Sequence, residues 1–303
     1  QRHPSPPELR PLAEPALVID QVRKSFDGHV AVRDLSLQVP RGTVYGLLGP
    51  NGAGKTTTIR MILDIIEPDS GTITVFGQPS IQGRAGNRIG YLPEERGLYK
   101  KMQVRRVLKF LAELKGVRGR DAEKRIETWL ARLSLTGGDK DWGNAKVEEL
   151  SRGMQQKVQF IGALLHEPDL VILDEPFSGL DPMNAQALKD TVVDLRREGK
   201  TVIFSTHLMD NAERLCDSVC IIAHGDKVLD GTIAGVKLEH GGHYLAIALG
   251  DDRTSAVTDI FADRSLVKRL DDSNRTVEIE LAPNANAQLL LRKLVDAGAT
   301  IER

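Results

Sequence analysis

The sequence predicts an α/β fold with an antiparallel β layer at its start, an inserted helical subdomain, and a small C-terminal α+β domain. Three observations carry that expectation. Residues 43–48 read as a buried strand that runs through Gly49-Pro50-Asn51-Gly52-Ala53-Gly54-Lys55-Thr56 into a helix beginning near Thr57. A second wholly apolar strand, Leu170-Val171-Ile172-Leu173, ends in Asp174-Glu175. Between the two, Val104, Val107, Leu108 and Leu111 fall at helical spacing, and Ile126, Trp129, Leu130 and Leu133 repeat it after a Gly- and Arg-rich link over residues 116–120.

Taken in order, residues 1–15 carry five prolines and no apolar stretch of the signal-peptide kind, and are expected to be a disordered leader. Residues 16–20 and 31–39 read as strands of an antiparallel layer, with Phe26-Asp27-Gly28-His29 as the turn between them. Phe26 either fills core space or offers a ring to a planar ligand, and the pattern alone favours the first. Short strands follow at residues 71–77 and 89–93. After the helical insertion the α/β pattern resumes with a helix near residues 183–198 and a strand over 200–207, a unit whose parallel crossover is right-handed. Strands at 218–223 and 227–230 close this domain. The boundary falls at residues 234–242, ending in a His240-Gly241-Gly242-His243 turn. Beyond it, strands at 244–249, 276–281 and 299–302 and helices near 255–262 and 285–297 make the small α+β domain, residues 243–303.

Composition narrows the classes. Of 303 residues, 41% are hydrophobic and 27% charged, which excludes a disordered or membrane-embedded chain. A net charge of −1 gives no electrostatic reason to expect nucleic acid as a partner. Cys216 and Cys220, four apart, read as small buried hydrophobes in a reducing cytosol. The remaining histidines, among them His29, His166, His224, His240 and His243, lack ligand spacing and suggest no metal site.

The G-x-x-x-x-G-K-T loop has a chemical reading. Its glycines let successive backbone N–H groups and a helix N-terminus face phosphate oxygens. Lys55 is placed to reach the β- and γ-phosphates, and the Thr56 hydroxyl, followed by Thr57, is placed for Mg²⁺. Asp174 sits where a carboxylate would hold Mg²⁺ through its water shell, and Glu175 points to the other side, suited to polarise water. An Asp-Glu pair after a strand can equally be a solvated loop start, and His207 can equally be a satisfied core histidine.

Further motifs decide between these readings. Leu150-Ser151-Arg152-Gly153-Met154-Gln155-Gln156-Lys157, Ser178-Gly179-Leu180-Asp181-Pro182, and His207 after Phe204-Ser205-Thr206 follow the loop and the carboxylate strand in order. Over residues 16–235 the chain thus resembles the ATP-binding-cassette (ABC) ATPases, with the helical subdomain at about 100–165. The resemblance implies a P-loop NTPase core of the ABC ATPase type, ATP and Mg²⁺ as cofactors, and Phe26 as the adenine-stacking aromatic. It makes Gly49 to Thr57 the phosphate cradle, with Thr56, Glu94 and Asp174 around the metal. Glu175 becomes the general base and His207 the γ-phosphate contact. Ser151, placed as an N-cap, and Gly153 would face ATP held by a second protomer, so the enzyme is expected to close as a homodimer, or with a closely related ATPase protomer, on two Mg·ATP.

Two departures stand out. Glu94 occupies the position of the family's usual glutamine, which adds negative charge near the triphosphate and implies slower or more Mg²⁺-dependent turnover. Arg152 and Met154 replace a glycine and a glutamine, and Arg152 is either a phosphate contact or a solvated charge. Together with residues 90–99 and the C-terminal domain, they resemble the ATPase subunits of ABC-2-type exporters similar to bacterial sodium-efflux systems. The resemblance implies an ABC-2-type membrane permease as partner, a docking groove formed by residues 104–114 with the segment before them, and residence at the cytoplasmic face of the membrane through that permease. A soluble translation factor is disfavoured by the single phosphate loop, and a chromosome or repair ATPase by the absence of sustained heptads between Thr56 and Leu150. An ATP-binding regulatory module without turnover is disfavoured by Glu175 and His207. The C-terminal domain is expected to regulate or steady the dimer.

Overall fold

A computed structural model describes residues 14–80, 86–95, 97–138, 140–239, 244–249, 254–271, 276–283 and 285–301. It opens on a hairpin of β1 (Leu17–Phe26) and β2 (His29–Val39), in register with Phe26 opposite His29. The turn is Asp27-Gly28, both at positive φ (45° and 85°), the mirror-image turn whose twist matches that of paired strands. Next come β3 (Val44–Leu48), α1 (Lys55–Ile62), β4 (Ser70–Val75), the two-residue β5 (Gln78–Pro79) and β6 (Ile89–Leu92). β4 pairs with the free edge of β1, so the antiparallel layer has the order β2-β1-β4-β5. Its inner side chains, among them Leu17, Ile19, Val39 and Ile73, share one core with Ile59 and Met61 of α1 and with Tyr45 and Leu47 of β3.

The helical insertion consists of α2 (Val104–Leu114) and α3 (Gly119–Arg132). Val104, Val107, Leu108, Ile126 and Leu130 are buried as the spacing requires, and Ala112 and Ala122 join them at the helix crossing. Helix α3 begins inside the residues read from sequence as a link. Arg105 binds Glu127 through two hydrogen bonds of 2.6 and 2.8 Å and also binds Asp141, fastening α2 to α3 and to the turn that follows. That guanidinium holds the Glu127 carboxyl below the usual carboxylate range.

Then follow α4 (Arg152–Leu164), β7 (Leu170–Asp174), α5 (Pro182–Arg197), β8 (Thr201–Thr206), α6 (Met209–Leu215), β9 (Ser218–Ala223) and β10 (Asp226–Thr232). A six-stranded sheet has the order β10-β9-β3-β8-β7-β6 and is parallel except for β10. Both faces are covered, by the antiparallel layer with α1 on one side and by a core including α2, α4 and α5 on the other. This explains why β3, β7 and β8 are buried at every residue, with apolar runs such as Leu170-Val171-Ile172-Leu173 and Val202-Ile203-Phe204 at their centres. The carboxyl ends of the adjacent strands β3, β8 and β7 open where ligands bind in parallel α/β sheets.

Contacts divide the chain into units of residues 1–233 and 234–303. The second begins within α7 (Ile233–Glu239), which has no buried residue. It continues through β11 (Tyr244–Ala248), α8 (Ser255–Ala262), β12 (Val267–Asp271), β13 (Thr276–Leu281) and α9 (Ala287–Asp296). The antiparallel order is β11-β13-β12, over a core that includes Ile247, Val257, Val277, Ile279, Leu290 and Leu294. The strand expected at residues 299–302 reduces to one bridge, Leu249 with Ile301. β5, α7 and β12 are additions to the elements expected from sequence. The turn at residues 240–243 and the leader up to residue 13 lie outside the described residues.

Candidate functional site

The loop after β3 has glycine where neighbouring backbone approaches. At Gly49 (φ 153°) a Cβ would meet the Ile222 carbonyl oxygen of β9, and at Gly54 (φ 108°) the Ala31 carbonyl oxygen of β2. The chain is thereby folded tightly enough to aim Lys55, the first residue of α1, back across the loop. Lys55 Nζ donates to the carbonyls of Gly49 (2.7 Å) and Pro50 (3.1 Å) and lies 3.7 Å from Glu175 Oε1.

A cavity of about 390 Å³ opens over this loop, lined by Phe26, His29, Ala31, Asn51, Gly52, Ala53, Gly54, Lys55, Thr56, Thr57, Glu94 and Glu175. Phe26 is 45% exposed, so it does not fill core space: its ring stands at the cavity edge with Lys24 Nζ 5.4 Å from the centroid. Gly49 and Pro50 are not among the lining residues and supply carbonyls to Lys55.

Asp174 ends β7 and is 1% exposed. Its Oδ1 accepts from Ser205 Oγ at 2.5 Å, while Oδ2 is buried with no hydrogen-bond partner. An ionised oxygen in that position calls for a cation. Among the described residues no group of three or more His, Cys, Asp or Glu forms a metal cage. The unpartnered Asp174 oxygen, an oxygen donor, fits Mg²⁺, which keeps water and takes substrate phosphates beside one or two protein ligands. Thr56 and Glu94 line the cavity over the loop, whereas Asp174 lies outside its lining. Burial and the nearby charge of Asp174 push the Tyr91 hydroxyl up to about 12, and Glu94 adds to the effect.

Glu175 is 9% exposed and has left-handed backbone, φ 46°. Its N–H donates to Ser205 Oγ at 2.9 Å, and its Oε1 lies 3.0 Å from Nδ1 of His207, the residue after β8. Ser205 thus holds both carboxylate residues, directly opposite Asp174 in the sheet register. The only sign of this role along the chain is a polar Ser-Thr-His ending on an apolar strand. Also unforeseen were the amides of α4: Gln159 donates to the Glu95 carbonyl at 3.0 Å and Gln156 to that of Pro176 at 3.5 Å.

The structure does not bring Ser151 and Gly153 to this cavity. Ser151 caps α4, accepting from Met154 N–H at 3.3 Å, and is exposed with Arg152 at the helix N-terminus. Gly153 lies against Asn184 at the start of α5, where a Cβ would collide with the Asn184 amide.

The family model described as "ABC transporter" matches residues 32–178. The chain is 49% identical over 236 residues to the uncharacterized ABC transporter ATP-binding protein YhaQ of Bacillus subtilis (strain 168), covering 78% of each. It is 34% identical over 285 residues to a Nod factor export ATP-binding protein I of Rhizobium sp. (strain N33), covering 93% of this chain and 91% of that one. A solved structure titled "Structure of ATP binding subunit of ABC transporter" superposes with a TM-score of 0.68 at 31% identity, over 75% of this chain and 93% of that one.

Proposed function

The chain belongs to the ABC transporter family as an ATP-binding, ATP-hydrolysing subunit, and from that premise we propose that it powers an exporter by closing as a two-fold pair on two Mg·ATP. The observation that carries the reading is the convergence on Glu175. A buried carboxylate faces Lys55, touches His207 and borders the cavity over the phosphate loop. In hydrolysis a water attacks the γ-phosphorus, Glu175 takes its proton, and ADP leaves with the electrons of the broken P–O bond. His207 orients Glu175 and the γ-phosphate, Lys55 offsets charge on the β- and γ-oxygens, and Phe26 stacks on adenine. Mg²⁺ at Asp174 and Thr56, with Glu94 beside them, would neutralise charge developing on the phosphates.

The position of Ser151 and Gly153 outside the cavity supports pairing. A capped helix N-terminus with free N–H groups is an anion site, and a head-to-tail partner would supply its γ-phosphate. ATP binding then closes the pair because the nucleotide contacts both copies only in that state, and hydrolysis removes the difference. Among the described residues no helix is long and apolar enough to cross a membrane. We assign the transport path to a separate permease of the ABC-2 type, with this chain at its cytoplasmic face, on the likeness of residues 90–99 and the C-terminal unit to that branch. Export is favoured by the likeness to a Nod factor export protein across both units. The C-terminal unit regulates or steadies the pair.

Glu175→Gln tests the reading. It keeps shape and removes the base, so the variant should accumulate as an ATP-bound dimer in size-exclusion chromatography while turnover falls about 10²–10³-fold. A variant that stays monomeric with ATP and hydrolyses at the parental rate would sink the assignment.

A further inference from the structure

Glu94 and Glu175 both line the nucleotide cavity but are held in different ways. Glu175 has Ser205 on its N–H and His207 on its carboxylate. The Glu94 carboxylate makes no hydrogen bond or ion pair among the described residues, so its backbone decides where it stands. That backbone has left β6 at Leu92 and is exposed at both Glu94 and Glu95.

The course of this segment is set by α4. Gln159, Ala163 and His166 fall at i, i+4 and i+7, one row along the helix and just past its end. At the far end His166 Nε2 donates to the Ile89 carbonyl (3.0 Å), and beside it Gly90 lies so near the Ala163 carbonyl oxygen that a Cβ would collide with it. At the near end Gln159 donates to the Glu95 carbonyl (3.0 Å). β6 is thus seated on the helix, and the residue after Glu94 is tied back to it. Gln156, one turn earlier, reaches the Pro176 carbonyl at 3.5 Å, a weaker tie than the one Ser205 gives Glu175.

Gln159 is costly where it lies. It is 8% exposed, and its Oε1 is buried without a hydrogen-bond partner. A buried acceptor left unpaired destabilises the fold, so leucine, close to it in volume, would suit the core at least as well, and the freed carbonyl of the exposed Glu95 could turn to water. The amide makes sense through what its Nε2 holds. Gln159 does not itself line the cavity, so it acts at one remove.

Resting on the reading above that sets Glu94 beside Mg²⁺, we infer that Gln159 is a positioning residue for Mg·ATP: through the Glu95 carbonyl it keeps the Glu94 carboxylate at the cavity. Without that tie the exposed segment swings toward solvent and Glu94 goes with it. The carboxylate then neither favours the metal nor repels the bare triphosphate.

The experiment is titration calorimetry of the full chain with the non-hydrolysable analogue AMP-PNP, in Mg²⁺ and in EDTA, which reads the gain in affinity that the metal brings. In Gln159→Leu that gain should fall about five- to tenfold, affinity without metal should hold or rise by up to about twofold, and the melting midpoint should stay within about 2 °C of the parent. In a Glu94→Ala background the same substitution should change the gain by less than about twofold, because the residue it positions is gone. Equal losses with and without Mg²⁺ would mean that Gln159 serves the fold alone, and a loss of similar size in the Glu94→Ala background that it acts elsewhere; either overturns the inference. If Glu94→Ala lowers the gain and Gln159→Leu does not, the role of Gln159 is discarded and the placement of Glu94 stands. If Glu94→Ala leaves the gain untouched, the placement of Glu94 beside the metal fails, and the role of Gln159 fails with it.

Discussion

Ser205→Ala is the substitution in which the geometry of the site commits itself most. Ser205 is fully buried and uses one hydroxyl twice, accepting from Glu175 N–H and donating to Asp174 Oδ1. Alanine leaves both groups without that partner. A buried backbone donor left unpaired costs about 1–2 kcal/mol and a lost bond to an ionised group about 1.5–3, so about 3 kcal/mol is expected. For a unit of some 230 residues, each kcal/mol moves the melting midpoint by about 2–4 °C, giving a fall of about 6–12 °C. Turnover should fall as well. The left-handed backbone of Glu175 carries roughly 1–2 kcal/mol of strain, and without Ser205 it can relax away from the cavity, lowering kcat about 5–30-fold. KM for ATP should change little, because Ser205 does not line the nucleotide cavity. The measurements are differential scanning calorimetry and steady-state phosphate release. A midpoint within about 2 °C of the parent together with parental kcat would show that the bridge bears neither load.

Phe26→Ala should weaken ATP binding about tenfold and leave binding of inorganic tripolyphosphate unchanged, measured by titration calorimetry, because only the base stacks on the ring; equal losses for both ligands would assign Phe26 elsewhere. Lys55→Ala should lower affinity for ATP tenfold to a hundredfold, and unchanged binding would remove the loop from the site. His166 gives a pH test: burial holds its ring below the ordinary range, with Nε2 donating to the Ile89 carbonyl and Nδ1 buried without a partner. Above the unfolded value near 6.5 its contribution is complete; as pH falls through the lowered folded value the unfolded chain takes the proton first, and stability drops. The melting advantage of the parent over His166→Gln should therefore shrink between about pH 7.5 and 5.5, and a constant difference would mean the ring is not buried neutral.

What the sequence made legible follows from where each signal resides. The phosphate loop, the carboxylate strand and the capped start of α4 are contiguous, since phosphate chemistry constrains neighbours along the chain, and buried parallel strands announce themselves as apolar runs. Ser205 was illegible because its role comes from facing Asp174 across the sheet, 31 residues away in sequence. β12 was missed because a register shift between Val267 and Arg269 leaves Lys268 and Arg269 both exposed and erases the alternation of an edge strand. Gly119 looked like part of a linker, yet it opens α3, whose burial of Ala122, Ile126 and Leu130 outweighs a poor helix former at the end. Phe26 changed reading for a simple reason: an aromatic on a strand looks the same from sequence whether its outer face meets core or solvent.

The left-handed backbone at Glu175 also limits what selection or a protein engineer can do there. Asparagine, aspartate and glycine adopt that conformation most readily, and each shortens or abolishes the reach of the carboxylate toward His207. Glutamine keeps the reach, retains the strain and gives up the proton acceptor. No single substitution both relaxes the chain and preserves the proposed base, so a screen for thermostability that samples this position is expected to recover sturdier proteins with lost turnover.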